Sequence, residues 1–104
     1  MSSKQLFVYK LIPPRPTFAA DQTPAEAAIM GQHVAYWSEL LHRGVAVVFG
    51  PVADPTGAWG LAVIEAENAD QVNQLRVNDP AIRSGLATAE IHPMPAAFVR
   101  PLAD

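Results

Sequence analysis

One long helix, marked at both ends by sequence signals, limits the folds that are open to this chain. Thr23-Pro24-Ala25-Glu26 predicts its start, because the Thr23 hydroxyl can accept from the Glu26 amide while the Glu26 side chain reaches back. Pro24 suits the first helical position, where a backbone N–H has no partner within the helix. Gly44 predicts the end, since glycine readily adopts the left-handed conformation that closes many helices. We therefore expect one helix between these two signals.

Apolar side chains recur along this helix at spacings of three and four residues, which indicates one buried face. The predicted stripe consists of Met30, His33, Val34, Trp37, Leu40 and Leu41. His33 is the one ionisable member of the stripe. A histidine on an apolar face is either a core group that hydrogen-bonds a backbone carbonyl or the working group of a site. The spacing leaves both interpretations open.

Strand patterns lie on both sides of the helix. Residues 5–12 (QLFVYKLI) are rich in branched and aromatic side chains and predict a strand that ends at Pro13-Pro14. After the helix, residues 45–51 and 59–65 predict two further strands. Asp-Pro-Thr-Gly within residues 53–57 is typical of a turn, so these two strands are expected to form a hairpin.

A second helix and a last strand are predicted in the remaining third of the chain. Asn68 and Gln71 indicate a helix cap, and the helix is expected to run to about Asn78. Pro80 ends it, because the residue before a proline avoids helical geometry. The segment AIRSG predicts one further helical turn, residues 86–92 alternate as a half-buried strand should, and MPAAFVR predicts a final edge or arm.

The resulting order, βαββαβ, predicts an α+β fold of the ferredoxin-like type: a four-stranded antiparallel sheet with both helices on one face. The 104 residues suit a single domain spanning 1–104. The other sheet face must be covered, and two such sheets packed face to face would form a dimeric α/β barrel. Half of the residues are apolar and only 16% are charged, which also favours a homodimer.

Composition argues against several classes of partner and site. The net charge is −3 and the seven Lys and Arg are scattered, so nucleic acid is not an expected partner. The absence of cysteine excludes disulfides, thiolate nucleophiles and Cys-type zinc sites. No metal-ligand or nucleotide-binding motif is present, so no metal and no cofactor are expected. No signal-type or membrane-spanning segment is present, and we expect a soluble, cytoplasmic protein.

The chemistry available to the chain depends on its histidines. His42 points away from the apolar stripe and His92 lies at a strand end, so both are expected at the surface. A working His33 would need a carboxylate that fixes its tautomer and stabilises the charged ring. The candidate carboxylates are Asp21, Asp54, Asp70 and Asp79. Asp79 stands at a helix end before Pro80, where ordinary turn chemistry is the alternative interpretation.

Four segments in this order resemble the YCII-related (YciI-like) family of small dimeric α/β-barrel proteins. They are QHVAYWSELLHRG (32–44), FGPV (49–52), GLAVIEA (60–66) and NDPAIRSGL (78–86). Each segment is short and common, but the ordered set is fairly specific and extends from about residue 5 to residue 94. The Pro-rich segment 13–23 departs from the shortest members of the family, so the role of that segment is not implied by the resemblance.

The resemblance implies an active site in which a helix histidine pairs with an aspartate of an Asp-Pro dipeptide. The matching residues are His33 and Asp79, and Gly50-Pro51 matches the strand end at the mouth of the cleft. Trp37 and Ser84 are further candidates for the pocket of a small-molecule ligand.

The leading hypothesis is a cofactor-independent enzyme of the lyase or isomerase type that acts on a small organic metabolite. His33 would be the general acid/base and Asp79 would orient it. Isomerisation, elimination, and breakdown of a lactone or halogenated ring product are the expected reaction classes. A non-catalytic dimeric module that binds a small molecule in the same cleft is the alternative, and a scaffold with a structural histidine is a third. The sequence names no substrate.

Overall fold

The computed structural model describes residues 4–101, which form four strands and four helices. In chain order these are β1 (Gln5–Ile12), α1 (Phe18–Asp21), α2 (Pro24–His42), β2 (Ala46–Val52), β3 (Trp59–Ala66), α3 (Ala69–Asn78), α4 (Pro80–Arg83) and β4 (Thr88–Met94).

The four strands form one antiparallel sheet in the order β2-β3-β1-β4. In the centre of the sheet, Tyr9 of β1 lies opposite Ala62 of β3 on one side and Ile91 of β4 on the other. Side chains of this row point towards the helices, and Tyr9 and Ala62 are buried with Trp37 of α2 in the core. The prediction of an α+β, ferredoxin-like βαββαβ fold is confirmed.

Helix α2 begins and ends where its sequence signals predict. The Thr23 hydroxyl accepts from the Glu26 amide at 3.1 Å, and the Glu26 carboxylate accepts from the Thr23 amide at 2.9 Å. At the other end Gly44 has a φ of +77°, in the left-handed region. The buried face is narrower than predicted, because Val34 and Leu41 lie on its flanks and are 50% and 40% exposed.

Two regions differ from the sequence-based expectation. The Pro-rich connection is not wholly irregular, since it contains the four-residue helix α1, whose Phe18 is buried. The last strand spans Thr88–Met94, two residues later than predicted, and the backbone leaves it at Ala96, which has a φ of +56°. Residues 95–101 lie outside the sheet, and Phe98 is fully exposed.

The sheet face turned away from the helices has an apolar middle. The strand register places Val48 of β2, Val63 of β3 and Val8 of β1 side by side on this face. Val48 is 51% exposed in the single chain. The predicted dimeric barrel would cover this face, and it stays a prediction. None of the helices within residues 4–101 is long and apolar enough to cross a membrane.

Candidate functional site

The centre of the candidate site is Asp79, which joins two helices. It ends α3 and begins α4, with Pro80 at the first helical position of α4. Its carboxylate Oδ1 accepts from the Ala81 amide at 2.9 Å, so the side chain caps the helix that follows it. The side chain is also completely buried, which turn chemistry alone would not require.

Four donors surround the buried Asp79 carboxylate. Oδ1 accepts from Nδ1 of His33 at 2.8 Å as well as from the Ala81 amide. Oδ2 accepts from the Tyr9 hydroxyl and from Nε1 of Trp37, each at 2.9 Å. These donors come from β1, α2 and α4, so the carboxylate connects the sheet to two helices. Its acceptor positions are all used, as a buried charged group requires.

Electrostatics keeps this carboxylate ionised. Burial raises the pKa of Asp79, but the hydrogen bonds from His33 and Trp37 outweigh burial, and the net shift of the pKa is downward. Burial also raises the pKa of the Tyr9 hydroxyl, and the neighbouring Asp79 charge raises it further. At neutral pH Asp79 is therefore an anion, and Tyr9 is a neutral donor to it.

The His33 ring is oriented by Asp79 through one nitrogen and leaves the other available. An ionised carboxylate can only accept, so Nδ1 carries the proton of this hydrogen bond and the neutral ring has Nε2 unprotonated. Nε2 has no hydrogen-bond partner, whereas every buried side-chain nitrogen and oxygen within residues 4–101 has one. Nε2 is therefore accessible, although His33 as a residue is only 9% exposed.

Nε2 can be reached from a cavity of about 290 Å³ that opens beside α2. Its walls are mainly apolar and include the aromatic side chains of Phe18, Trp37, Phe49 and Trp59. Gly50 and Pro51, which the family resemblance places at the mouth of the cleft, also line it.

The predicted pocket residue Ser84 does not line this cavity. It is exposed in the turn that ends α4, where its hydroxyl lies 3.4 Å from the Ala81 carbonyl oxygen and 3.4 Å from the Leu86 amide. The polar contacts of Ser84 thus serve the turn itself. The short helix α4 separates Ser84 along the chain from Asp79 at the start of that helix.

The other ionisable candidates are placed away from His33. Asp54 accepts from the Thr56 amide and from Nε1 of Trp59, and Asp21 pairs with Arg15 at 2.8 Å. The remaining candidates Asp70, His42 and His92 are all exposed. Asp79 is therefore the only one of the four predicted carboxylates that His33 contacts. No group of three or more His, Cys, Asp or Glu side chains within residues 4–101 could hold a metal ion.

The sequence did not identify Tyr9 as part of the site, and it left the Pro-rich connection open between a loop that covers a site and an ordinary surface loop. Tyr9 was interpreted only as a strand residue, although its polar tip in the inward row of β1 is a signal for a buried hydrogen-bond partner. We name the Pro-rich segment 13–23 the strap. Its Phe18 lines the cavity, and its Arg15 binds both Glu26 carboxylate oxygens, at 2.7 and 2.9 Å.

A family model for the YCII-related domain matches residues 7–95. The chain belongs to the YCII-related family. Among solved structures, this YCII-related chain is similar to 5-chloro-2-hydroxyhydroquinone dehydrochlorinase (TftG) from Burkholderia phenoliruptrix, in complex with 2,5-dihydroxybenzoquinone. The TM-score is 0.62 at 20% identity, covering 84% of this chain and 90% of the other, and at that identity the likeness shows the fold. No functionally curated protein matches the chain.

Proposed function

We propose that this YCII-related protein is a cofactor-independent enzyme that moves protons on a small organic molecule, with His33 as general acid/base and Asp79 as its orienting partner. The observation that carries the proposal is the state of the two His33 nitrogens. Nδ1 is fixed by a buried, ionised carboxylate, and Nε2 is accessible from an apolar cavity. That arrangement is the one expected of a histidine that takes and returns protons.

In the dyad, the Asp79 carboxylate places a negative charge on the side of the ring that faces away from Nε2. Asp79 keeps its four donors when His33 becomes charged, so the positive ring gains a partner without any rearrangement. General acid/base catalysis of this kind contributes roughly a hundred- to ten-thousandfold to a rate.

The shape and chemistry of the cavity favour a flat ring as the substrate. Aromatic walls stack well on planar molecules, and about 290 Å³ is near the lower limit for a small-molecule site. The dehydrochlorinase with the same fold acts on a chlorinated hydroxyhydroquinone. In an elimination of that class, Nε2 would take a proton from the substrate while chloride leaves with the electron pair of its bond. In an isomerisation, the same nitrogen would return the proton at another atom.

The alternative is a module that binds a small molecule in this cleft without converting it. Its support is the cavity itself, because an accessible Nε2 can also serve only to hydrogen-bond a ligand. In both cases we propose a homodimer that buries the helix-free face of the sheet.

Turnover measurements on matched histidine variants test the proposal. Chlorinated hydroxyhydroquinones and small lactones would be offered to the protein, with chloride release and ring absorbance as the readouts. We expect His33→Gln to lower kcat at least about a hundredfold. The exposed control His42→Gln should keep the wild-type rate. A wild-type protein that binds these compounds through His33 and converts none of them would support the binding module instead.

A further inference from the structure

Few polar side chains line the cavity, and most of them already donate a hydrogen bond within the protein. The side chains of Tyr9 and Trp37 donate to Asp79, and Trp59 donates to Asp54 at 3.1 Å. Two lining residues carry polar side-chain atoms that make no hydrogen bond within residues 4–101. They are His33, through Nε2, and Gln22.

No lysine or arginine is among the residues that line the cavity. The basic residues Lys10 and Arg15 lie close in sequence to lining residues, but both side chains are engaged elsewhere. The ammonium of Lys10 lies over the ring of Trp59, 4.9 Å from its centroid, and Arg15 is held by Glu26 and Asp21. The buried charge behind the cavity is the Asp79 anion. A ligand carboxylate would lose its water here without gaining a lysine or arginine partner, and it would lie near the Asp79 anion, which is unfavourable.

Gln22 is held at the cavity by the strap. It follows α1 directly, at the C-terminal end of that helix, and precedes the capping residue Thr23 of α2. The buried Phe18 fixes the strap before Gln22, and Arg15 pairs with Asp21 and Glu26, which lie on either side of Gln22 in the chain. A glutamine amide both donates and accepts, so it can bind either a hydroxyl or a carbonyl group of a neutral ligand.

From these contacts we propose that the cavity selects an uncharged ring compound held at two polar edges. One edge hydrogen-bonds Nε2 of His33, and the other hydrogen-bonds the amide of Gln22, which is a positioning residue that determines specificity. The proposal rests on the proposed function for the location of the site. It adds the charge class of the ligand and a second contact point carried by the strap.

A matched pair of probes separates charge from shape. 2,5-Dihydroxybenzamide and 2,5-dihydroxybenzoate have the same ring, the same hydroxyls and the same number of heavy atoms, but only the second carries a charged group at pH 7.5. Their dissociation constants would be measured by Trp fluorescence and by the NMR shift of the His33 ring. We expect the amide to bind at least about tenfold more tightly than the carboxylate.

Variants of the two glutamines then test the contact. Gln22→Leu should weaken binding of 2,5-dihydroxybenzamide about fivefold, as expected for one lost hydrogen bond. Gln74→Leu, on the exposed surface of α3, is the control and should leave the dissociation constant unchanged. Equal or tighter binding of the carboxylate, or unaltered binding in Gln22→Leu, would overturn the proposal. Neither result affects the turnover comparison of His33→Gln with His42→Gln, which tests the proposed function separately.

Discussion

Asp79 combines two tasks that usually fall to different residues, because it caps a helix and anchors a histidine with the same carboxylate. Its Oδ1 accepts from both the Ala81 amide and His33, while its Oδ2 accepts from Tyr9 and Trp37. An asparagine at this position would keep the shape of the side chain but would satisfy fewer of these donors. The two oxygens of a carboxylate accept at about four positions, whereas a carboxamide offers one oxygen and adds two hydrogens of its own.

Replacing Asp79 by asparagine should therefore destabilise the fold as well as disable the dyad. We expect Asp79→Asn to lower the free energy of unfolding by about 3 kcal/mol, because buried donors are left unpaired. Urea denaturation of this variant and of the exposed control Asp70→Asn measures the effect. A loss no larger in Asp79→Asn than in the control would show that the network contributes little to stability.

The lowered pKa of Asp79 has a consequence in acid. The pKa of Asp79 in the folded state lies below its unfolded value of about 3.9. The carboxylate therefore makes its full contribution to the free energy of unfolding above about pH 3.9. The contribution is lost as the pH falls further, through the folded-state pKa. The difference in unfolding free energy between the wild-type protein and Asp79→Asn should therefore shrink below about pH 4.

The raised pKa of Tyr9 should make the stability of the fold decrease at high pH. Burial and the Asp79 charge raise the pKa of Tyr9 in the folded state. The neutral hydroxyl therefore makes its full contribution to stability below the unfolded pKa of about 10. As the pH rises above that value, the unfolded chain releases a proton that the folded chain retains, and stability falls. We expect the wild-type protein to lose stability between pH 10 and 11 faster than Tyr9→Phe does. Parallel curves in guanidinium denaturation would contradict this.

The sequence identified His33 and Asp79 at the residue scale, but it could not identify their contact without the family resemblance. The two residues are 46 positions apart, and no periodicity relates a helix face to the end of another helix. Tyr9 was missed for a related reason. Its hydroxyl partner lies 70 positions away, and an inward-facing tyrosine in a strand is usually interpreted by its apolar ring alone.

At the scale of elements, charged side chains link the strap to α2. Arg15 binds Glu26 and Asp21, and the hydrogen bond from Arg15 lowers the pKa of Glu26 to about 2. The same Glu26 completes the capping box of α2. One carboxylate thus fixes both the strap and the first turn of the helix that carries His33. Glu26 is therefore ionised, and able to pair with Arg15, at neutral pH.

Loss of the Arg15 contact should loosen the strap while leaving the sheet intact. We expect Arg15→Ala to speed amide hydrogen exchange in residues 17–22 and to weaken ligand binding, because Phe18 and Gln22 line the cavity. Exchange in β1 and β3 should be unchanged. Arg83→Ala, on α4, is the control for removal of a positive charge. Unaltered exchange across the strap would show that Phe18 packing alone holds it.

Local signals explain which elements were predictable. The ends of α2 depend on residues adjacent in sequence, namely the Thr23–Glu26 box and Gly44, and both were predicted correctly. Helix α1 was missed because its four residues are too few for a periodic pattern, and its position depends on contacts with distant residues. The same limit applies to β4, whose ends are set by pairing with β1.

At the scale of the whole molecule, the sheet has one face covered by helices and one face uncovered in the single chain. The order of elements alone predicted this arrangement, since a βαββαβ chain places both crossovers on one side. The middle of the uncovered face is formed by Val8, Val48 and Val63. An apolar surface of this kind is typical of an interface between subunits.

A charge in the middle of this face should separate the proposed dimer. We expect the wild-type protein to sediment as a dimer at micromolar concentration and Val48→Glu to sediment as a monomer, because the carboxylate would be buried without a partner. Val77→Glu is a matched control, since Val77 is 43% exposed and lies on α3, on the opposite side of the sheet. A monomeric wild-type protein, or a dimeric Val48→Glu, would rule out this interface.

The tautomer of His33 tests the proposed acid/base role most directly, and nitrogen-15 NMR of the imidazole ring measures it. For the neutral ring we predict a protonated Nδ1, bonded to Asp79, and an unprotonated Nε2 whose shift changes when a ring compound enters the cavity. A neutral ring protonated at Nε2, or an Nε2 that no ligand perturbs, would contradict the role of His33 as the group that exchanges protons with a substrate.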